Sequence, residues 1–298
     1  MMSLRALISA ADLDVMKSRG DVLVVDCRFN LADPDKGEHD YRVAHIPGAV
    51  YAHLDRDLSD LTKRGCGRHP LPDSSAFSKT LSGWGWRPDR DVVAYDAANG
   101  ALAAARLWWL LRLAGHDRVA VLDGGLAAWR AGGLAVESGS PQHAASVAQV
   151  GFDQARVVWI DELERRREQG SALLIDARAA PRYRGEVEPI DPVAGHVPGA
   201  LNRPFSENLD ASGCFKTAAV LHREFDALLA GRAAGDIVHM CGSGVTACHN
   251  LLAMEYAGFA GSRVFAPSWS GWVSDPSRPV ATGGDPVLLQ ESGSRALL

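Results

Sequence analysis

A chain whose second half repeats its first is bound to fold as two copies of one architecture, and this sequence repeats in four blocks. "VLVVDCR" at 22–28 returns as "ALLIDAR" at 172–178, and "AHIPGAV" at 44–50 as "GHVPGAL" at 195–201. "DVVAYD" at 91–96 returns as "DIVHMC" at 236–241, and "VAVLDGGLAAW" at 119–129 as "SRVFAPSWSGW" at 262–272. The order is kept, and the offsets are 150, 151, 145 and 143 residues. Likeness among generic β-α units explains apolar runs, but it does not explain two HxPGA blocks.

Each half alternates short apolar runs with helical patterns. "VLVVD" and "ALLID" read as buried parallel strands. "ALAAARLWWLLRLAG" at 101–115 and "TACHNLLAMEYAG" at 246–258 have helical spacing and stop at glycine. The expected fold class is therefore α/β: two tandem domains, each a mostly parallel sheet flanked by helices. The expected limits are a first domain at 1–135, a Gly/Ser/Ala-rich linker at 136–152, a second domain at 153–283 and a small, polar tail at 284–298.

Composition removes several classes of function. At 298 residues with a net charge of −5, nothing points to nucleic acid or an anionic membrane. Five cysteines without a C-x-x-C pair argue against a disulfide scaffold and against zinc. An odd count suits a reducing compartment. The N-terminus lacks the pattern of a signal peptide, and no apolar run is long enough to span a bilayer. The expectation is a cytoplasmic protein with no metal and no organic cofactor.

Asp26, Asp96, Asp176 and Cys241 each close an apolar run, and ligands of open α/β sheets bind beyond the carboxyl ends of strands. Around Cys241 the sequence is "CGSGVTA". Gly242 and Gly244 let the backbone curl and turn successive N–H groups inward, and a helix beginning near Val245 or Thr246 adds its own free N–H groups. Such a bowl favours a thiolate over a thiol, and Ser243 and Thr246 add hydroxyls. The first repeat has Asp96 at the matching position, in "DAANGALAAA", where a carboxylate does not serve an anion-binding bowl. One half is expected to work and the other to support it.

These motifs together resemble the two-domain rhodanese-type sulfurtransferases over roughly residues 5–283. They are the HxPGA blocks at His45 and His196, "DARAAPRYRG" at 176–185, the loop Cys241–Thr246 and "SWSGW" at 268–272. The resemblance implies a catalytic Cys241 in the second domain, an inactive first domain and an active site between them. It implies transfer of sulfane sulfur through a Cys241 persulfide to a thiol acceptor, such as thioredoxin or a small thiol, or to cyanide. The neutral loop, with Gly242, Ser243, Gly244, Val245 and Thr246, resembles the mercaptopyruvate branch; a thiosulfate donor is the alternative. Arg182 matches the family's anion-binding arginine, although "EPID" puts Ile190 and Asp191 where a second arginine is expected, with Arg184 as a substitute. "GRHPLP" at 67–72 resembles the segment that brings a histidine to the site. His69, Ser243 and an acid would relay protons. Asp57 is the acid expected, with Asp55 and Asp60 competing, and Arg68 adds positive potential.

The remaining residues read as structural. Cys248 belongs to a core helix face, His45 and His196 to the PGA turns, and Asp176 and Arg178 to loop organisation. Trp269 and Trp272 wall the pocket or pack the domain, and Cys66 near His69 is exposed. A phosphatase of the Cys-x5-Arg type is excluded by Ala247 and Cys248 at the sixth and seventh positions after Cys241. A non-catalytic binding module fits the first half alone.

Overall fold

The structure, a computed structural model, describes residues 6–20, 22–97, 100, 103–141 and 143–284. Ala98, Asn99, Ala101 and Leu102 of the first repeat's loop, and the tail from 285 onward, lie outside the described residues.

Two five-stranded sheets carry the fold. The first comprises β1 (Leu7–Ile8), β2 (Val22–Asp26), β3 (Val50–Tyr51), β4 (Asp91–Tyr95) and β5 (Val119–Leu122). The second comprises β6 (Val157–Val158), β7 (Leu173–Asp176), β8 (Leu201–Asn202), β9 (Ile237–Met240) and β10 (Arg263–Phe265). Their strand orders are β1-β5-β4-β2-β3 and β6-β10-β9-β7-β8, every pair parallel. Adding five to each label of the first sheet gives the second, so the sequence repeat is a repeat of topology. Burial on both faces is why these strands read as continuous apolar runs rather than as alternation.

The duplicated motifs build the same joints twice. Asp26 takes a buried fork from Arg28, whose Nη2 also donates to Ala44 O at 2.7 Å. Asp176 takes the same fork from Arg178, whose Nη2 donates to Gly195 O at 2.7 Å. His45 Nδ1 bonds Tyr41 O, and His196 Nδ1 bonds Tyr183 O. Each ring stacks on its own tyrosine, with centroids 4.2 and 3.8 Å apart. Burying these charges and rings is tolerable because the carboxylates are met by guanidinium forks and each ring Nδ1 by a carbonyl.

Two helices join the halves. Ala104–Leu113 follows the first repeat's Asp96 loop, and Thr246–Tyr256 follows the Cys241 loop. Both are buried nearly all round and pack on each other within one hydrophobic cluster drawn from both repeats. The interface therefore runs through equivalent helices. The segment near 146–150 is tied back to the helix Ser74–Gly83. Ser82 O accepts from Ser146 N, and Ala148 N and Val150 N donate to Ser82 Oγ and Ser78 Oγ. Among the described residues no helix is long and apolar enough to cross a membrane.

His239, on β9 two residues before Cys241, stands where the first repeat has Ala94. It is fully buried, and its Nδ1 has no partner among the described residues. Burial pushes its pKa from 6.5 down to about 3. The unfolded chain therefore takes up this proton first, and stability falls as pH drops from about 6.5 toward 3. At about 1.4 kcal/mol per pH unit, acidification from pH 6.5 to about pH 5 should remove on the order of 2 kcal/mol through this residue. Denaturant melts at several pH values should show this slope in the wild type and a flatter one in His239→Leu. Equal slopes would contradict it.

Candidate active site

The loop after β9 is shaped by one glycine. Gly244 has φ +79, and a Cβ there would lie 2.6 Å from Ala266 O. No other residue fits that conformation and that approach. With the loop so curled, Gly244 N–H points back at Cys241 Sγ, 3.1 Å away. The segment "SWSGW" braces the loop from the other side. Cys241 N–H donates to Ser268 Oγ, and Cys241 O and Gly242 O accept from Trp269 N and Ser270 N. Ser268 adopts φ +51 and is fully buried, a left-handed strain of about 1–3 kcal/mol that its own hydrogen bonds hold in place.

Cys241 lies at the floor of a cavity of about 250 Å³ lined by both repeats. Phe29, Leu31 and Leu54 come from the first, Ile190 and Phe205 from the second. Ser243, Val245 and Thr246 line it, as expected of the loop, together with Gly242, Arg68, His69 and Arg182. The loop "GRHP" crosses into the second repeat. Gly67 lies so close to Pro267 that a Cβ would meet its carbonyl oxygen at 2.4 Å, and Arg68 N donates to Ser270 Oγ.

His69 reaches Ser243 as the sequence suggests, with Nδ1 to Oγ 2.8 Å. Its other nitrogen faces a carboxylate, but that carboxylate is Asp55, at 3.3 Å, and not Asp57. The correction has a local cause. Residues Leu54–Asp57 form one helical turn, so Asp55 and Asp57 leave it in different directions. Asp57 folds back to accept His53 N and to pair with Arg56, while Asp60 binds Thr62 at the surface. Because an ionised Asp55 only accepts, His69 Nε2 carries the proton, which leaves Nδ1 to accept from the Ser243 hydroxyl. Burial pushes the His69 pKa down, Asp55 opposes this, and Arg106 and Arg68 push it down further. The imidazole is therefore neutral near pH 7.

Arg182 is at the cavity, but not free. Its Nε and Nη2 fork onto Glu188 at 3.1 and 2.6 Å, and Nη2 also reaches Asp191. Arg184 does not supply a second cation; it turns outward to Glu186. Arg68 does. Its Nη2 lies 3.2 Å, and the Arg182 Nη2 3.6 Å, from where a Gly242 Cβ would stand. Cys248 is buried, donates to Gly244 O, and has its thiol pushed up to about 12 by burial, which fits a core role. Trp269 and Trp272 pack the domain rather than the cavity; Trp269 lies under Arg178 at 4.6 Å.

Arg106 went unnoticed in the sequence. It is fully buried on the helix Ala104–Leu113, donating to Gly244 O at 3.0 Å and His69 O at 3.2 Å. No carboxylate pairs with it among the described residues. Burial pushes the guanidinium down, and the thiols of Cys248 and Cys241 are what oppose that. A buried cation without a carboxylate is costly, and here two backbone carbonyls, Gly244 O and His69 O, take its hydrogen bonds. The signal was a lone arginine on the buried face of "ALAAARLWWLL".

A model described as Rhodanese-like domain matches residues 9–132 and again 160–275. The chain belongs to the rhodanese family. A Pseudomonas aeruginosa protein named "Probable 3-mercaptopyruvate sulfurtransferase" is 50% identical over 284 residues, 95% of this chain and 100% of the relative. A Mycobacterium tuberculosis protein named for thiosulfate sulfurtransferase activity is 41% identical, covering 94% of this chain and 98% of that one. The solved 3-mercaptopyruvate sulfurtransferase of Leishmania major superposes with a TM-score of 0.80 at 28% identity, covering 89% of this chain and 73% of that one. In this rhodanese pair the cysteine belongs to the second domain and its histidine to the first.

NMR of the imidazole should find His69 titrating below 6.5, lower still in Asp55→Asn, and unmoved in Asp57→Asn. A shift in Asp57→Asn alone would overturn the reassignment.

Proposed function

We propose that this chain moves sulfane sulfur from 3-mercaptopyruvate, through a persulfide on Cys241, to a thiol acceptor such as reduced thioredoxin or a small thiol. The observation that carries the reading is the line Cys241–Ser243–His69–Asp55 across one cavity, with a backbone N–H aimed at the sulfur. The names borne by relatives at 50% and 41% identity agree on the reaction type and divide over the donor.

The chemistry follows from these groups. The Cys241 thiolate attacks the donor sulfur; an S–S bond forms as the S–C bond breaks, and the pair from that bond leaves as the enolate of pyruvate. The donor thiol's proton must travel from sulfur to that carbon. Neutral His69, bonded to the Ser243 hydroxyl, is placed to take it and return it, while Asp55 supports the transient cation. The products are a persulfide anion and pyruvate, so atoms and charge balance. Gly244 N–H, aimed at the sulfur and held by Arg106 at its own carbonyl, stabilises the persulfide anion as it forms. Thiosulfate carries no such proton, so a built relay supports the mercaptopyruvate reading. A second thiol then attacks the outer sulfur and frees Cys241. The resting thiol must stay reduced, which suits a reducing compartment such as the cytoplasm. In this division of labour residues 1–135 support, 136–152 join, and 153–283 carry the nucleophile.

Initial rates decide the donor. Turnover with 3-mercaptopyruvate should exceed that with thiosulfate at equal concentration, and Cys241→Ser should abolish both. A thiosulfate preference would reverse the donor, and residual turnover in Cys241→Ser would sink the mechanism.

A further inference from the structure

Ile190 and Asp191 stand where the family pattern led us to expect an arginine, and the surroundings of Asp191 make it more than a missing cation. Its side chain is only 3% exposed. Glu188 Oε1 accepts from both Ile190 N and Asp191 N at 3.1 Å, which pins the turn whose Asp191 carboxylate meets Arg68 and Arg182, both on the cavity wall. One oxygen takes Arg68 Nη1 at 2.6 Å, and the other takes Arg182 Nη2 at 3.1 Å. Arg68 belongs to the first repeat and Arg182 to the second, so this single carboxylate ties guanidinium groups across the domain boundary.

The bonding leaves a specific remainder. Arg68 spends Nη1 on Asp191, and Arg182 spends Nε and Nη2 on Glu188 and Asp191. Arg68 Nη2 and Arg182 Nη1 have no protein partner among the described residues. Both lie over Gly242, 3.2 and 3.7 Å from its would-be Cβ, beside Cys241 and on the cavity wall. They form a two-pronged seat for one small anionic group. The frame around it holds three guanidiniums, Arg68, Arg178 and Arg182, and three carboxylates, Asp176, Glu188 and Asp191. Its formal charge is therefore 3 − 3 = 0.

We propose that Asp191 is the donor-selectivity residue of this site. It splays Arg68 and Arg182 into a seat for a single monoanionic carboxylate, and it cancels one of their charges so that dianionic donors such as thiosulfate are disfavoured. The inference rests on the sulfur-transfer reading above. The seat is neutral overall and yet offers hydrogen bonds, so it rewards the shape of a carboxylate more than its charge. A second negative charge on the donor would meet Asp191 and Glu188 with no surplus cation within this frame, since Arg106 is spent on the carbonyls of Gly244 and His69. The exposed Ile190 side chain of the same turn adds an apolar edge, suited to a carbon-bearing donor rather than an inorganic one.

The test is kcat/KM for 3-mercaptopyruvate and for thiosulfate, measured in one assay on wild type, Asp191→Asn, Asp191→Ser and Asp191→Glu. Removing the charge should raise the thiosulfate-to-mercaptopyruvate ratio about tenfold, because a dianion gains one charge interaction more than a monoanion does. Asp191→Glu should keep the ratio within about twofold of wild type, because its charge is retained. Asp191→Ser carries the same expectation as Asp191→Asn, so misfolding of one neutral variant leaves the test intact. A ratio that stays put, with both donors weakened alike, would mean that Asp191 only holds the arginines in place, and the proposal would be wrong. Failure of the wild type to use 3-mercaptopyruvate would instead count against the functional reading, and the thiosulfate kcat/KM, which should still rise on neutralising Asp191, would then be read on its own.

Discussion

The 3.1 Å approach of Gly244 N–H to Cys241 Sγ is the contact on which the rest of the site depends. It exists because Gly244 takes a positive φ against Ala266 O, a position closed to any side chain. Everything else holds that curl. Ser268, strained and buried, receives Cys241 N–H, and Arg106 holds Gly244 O from the opposite repeat. The one N–H aimed at the sulfur is thus fixed by backbone and buried side chains before any ligand arrives, the arrangement that makes electrostatic stabilisation effective.

Duplication explains why a half with Asp96 in place of a nucleophile is needed at all. The two repeats share strand order, Asp–Arg forks and His–Tyr stacks, and they pack through equivalent helices. That symmetry presents the first repeat's loops to the second repeat's cysteine. The first repeat has Asp96 where the nucleophile would be, its carboxylate accepting from Gly100 N. It contributes His69, Asp55, Arg68 and Arg106 instead. Neither half holds the cavity alone.

Much of this was legible in the sequence, and the limits were physical. Apolar runs ending in Asp located the strands because parallel strands are buried on both faces. "CGSG" located the loop because glycine has few other reasons to recur there. His69 was reachable through its motif. Asp55 was not separable from Asp57, because the choice depends on how one helical turn is presented to a histidine fourteen residues away. Arg106 was hidden by its apolar neighbours. Asp191 read as a defect in a cation clamp; in three dimensions it is a carboxylate between two guanidiniums that sequence separation and domain identity had kept apart.

The central claim is that sulfur rests on Cys241 between two half-reactions. Intact-protein and peptide mass spectrometry after one equivalent of 3-mercaptopyruvate, with no acceptor present, tests it directly. The account predicts one added sulfur, confined to the peptide bearing Cys241, released on adding a thiol, with one pyruvate formed per site. Pyruvate release with no sulfur retained, or sulfur found on Cys66, Cys214 or Cys248 instead, would contradict it.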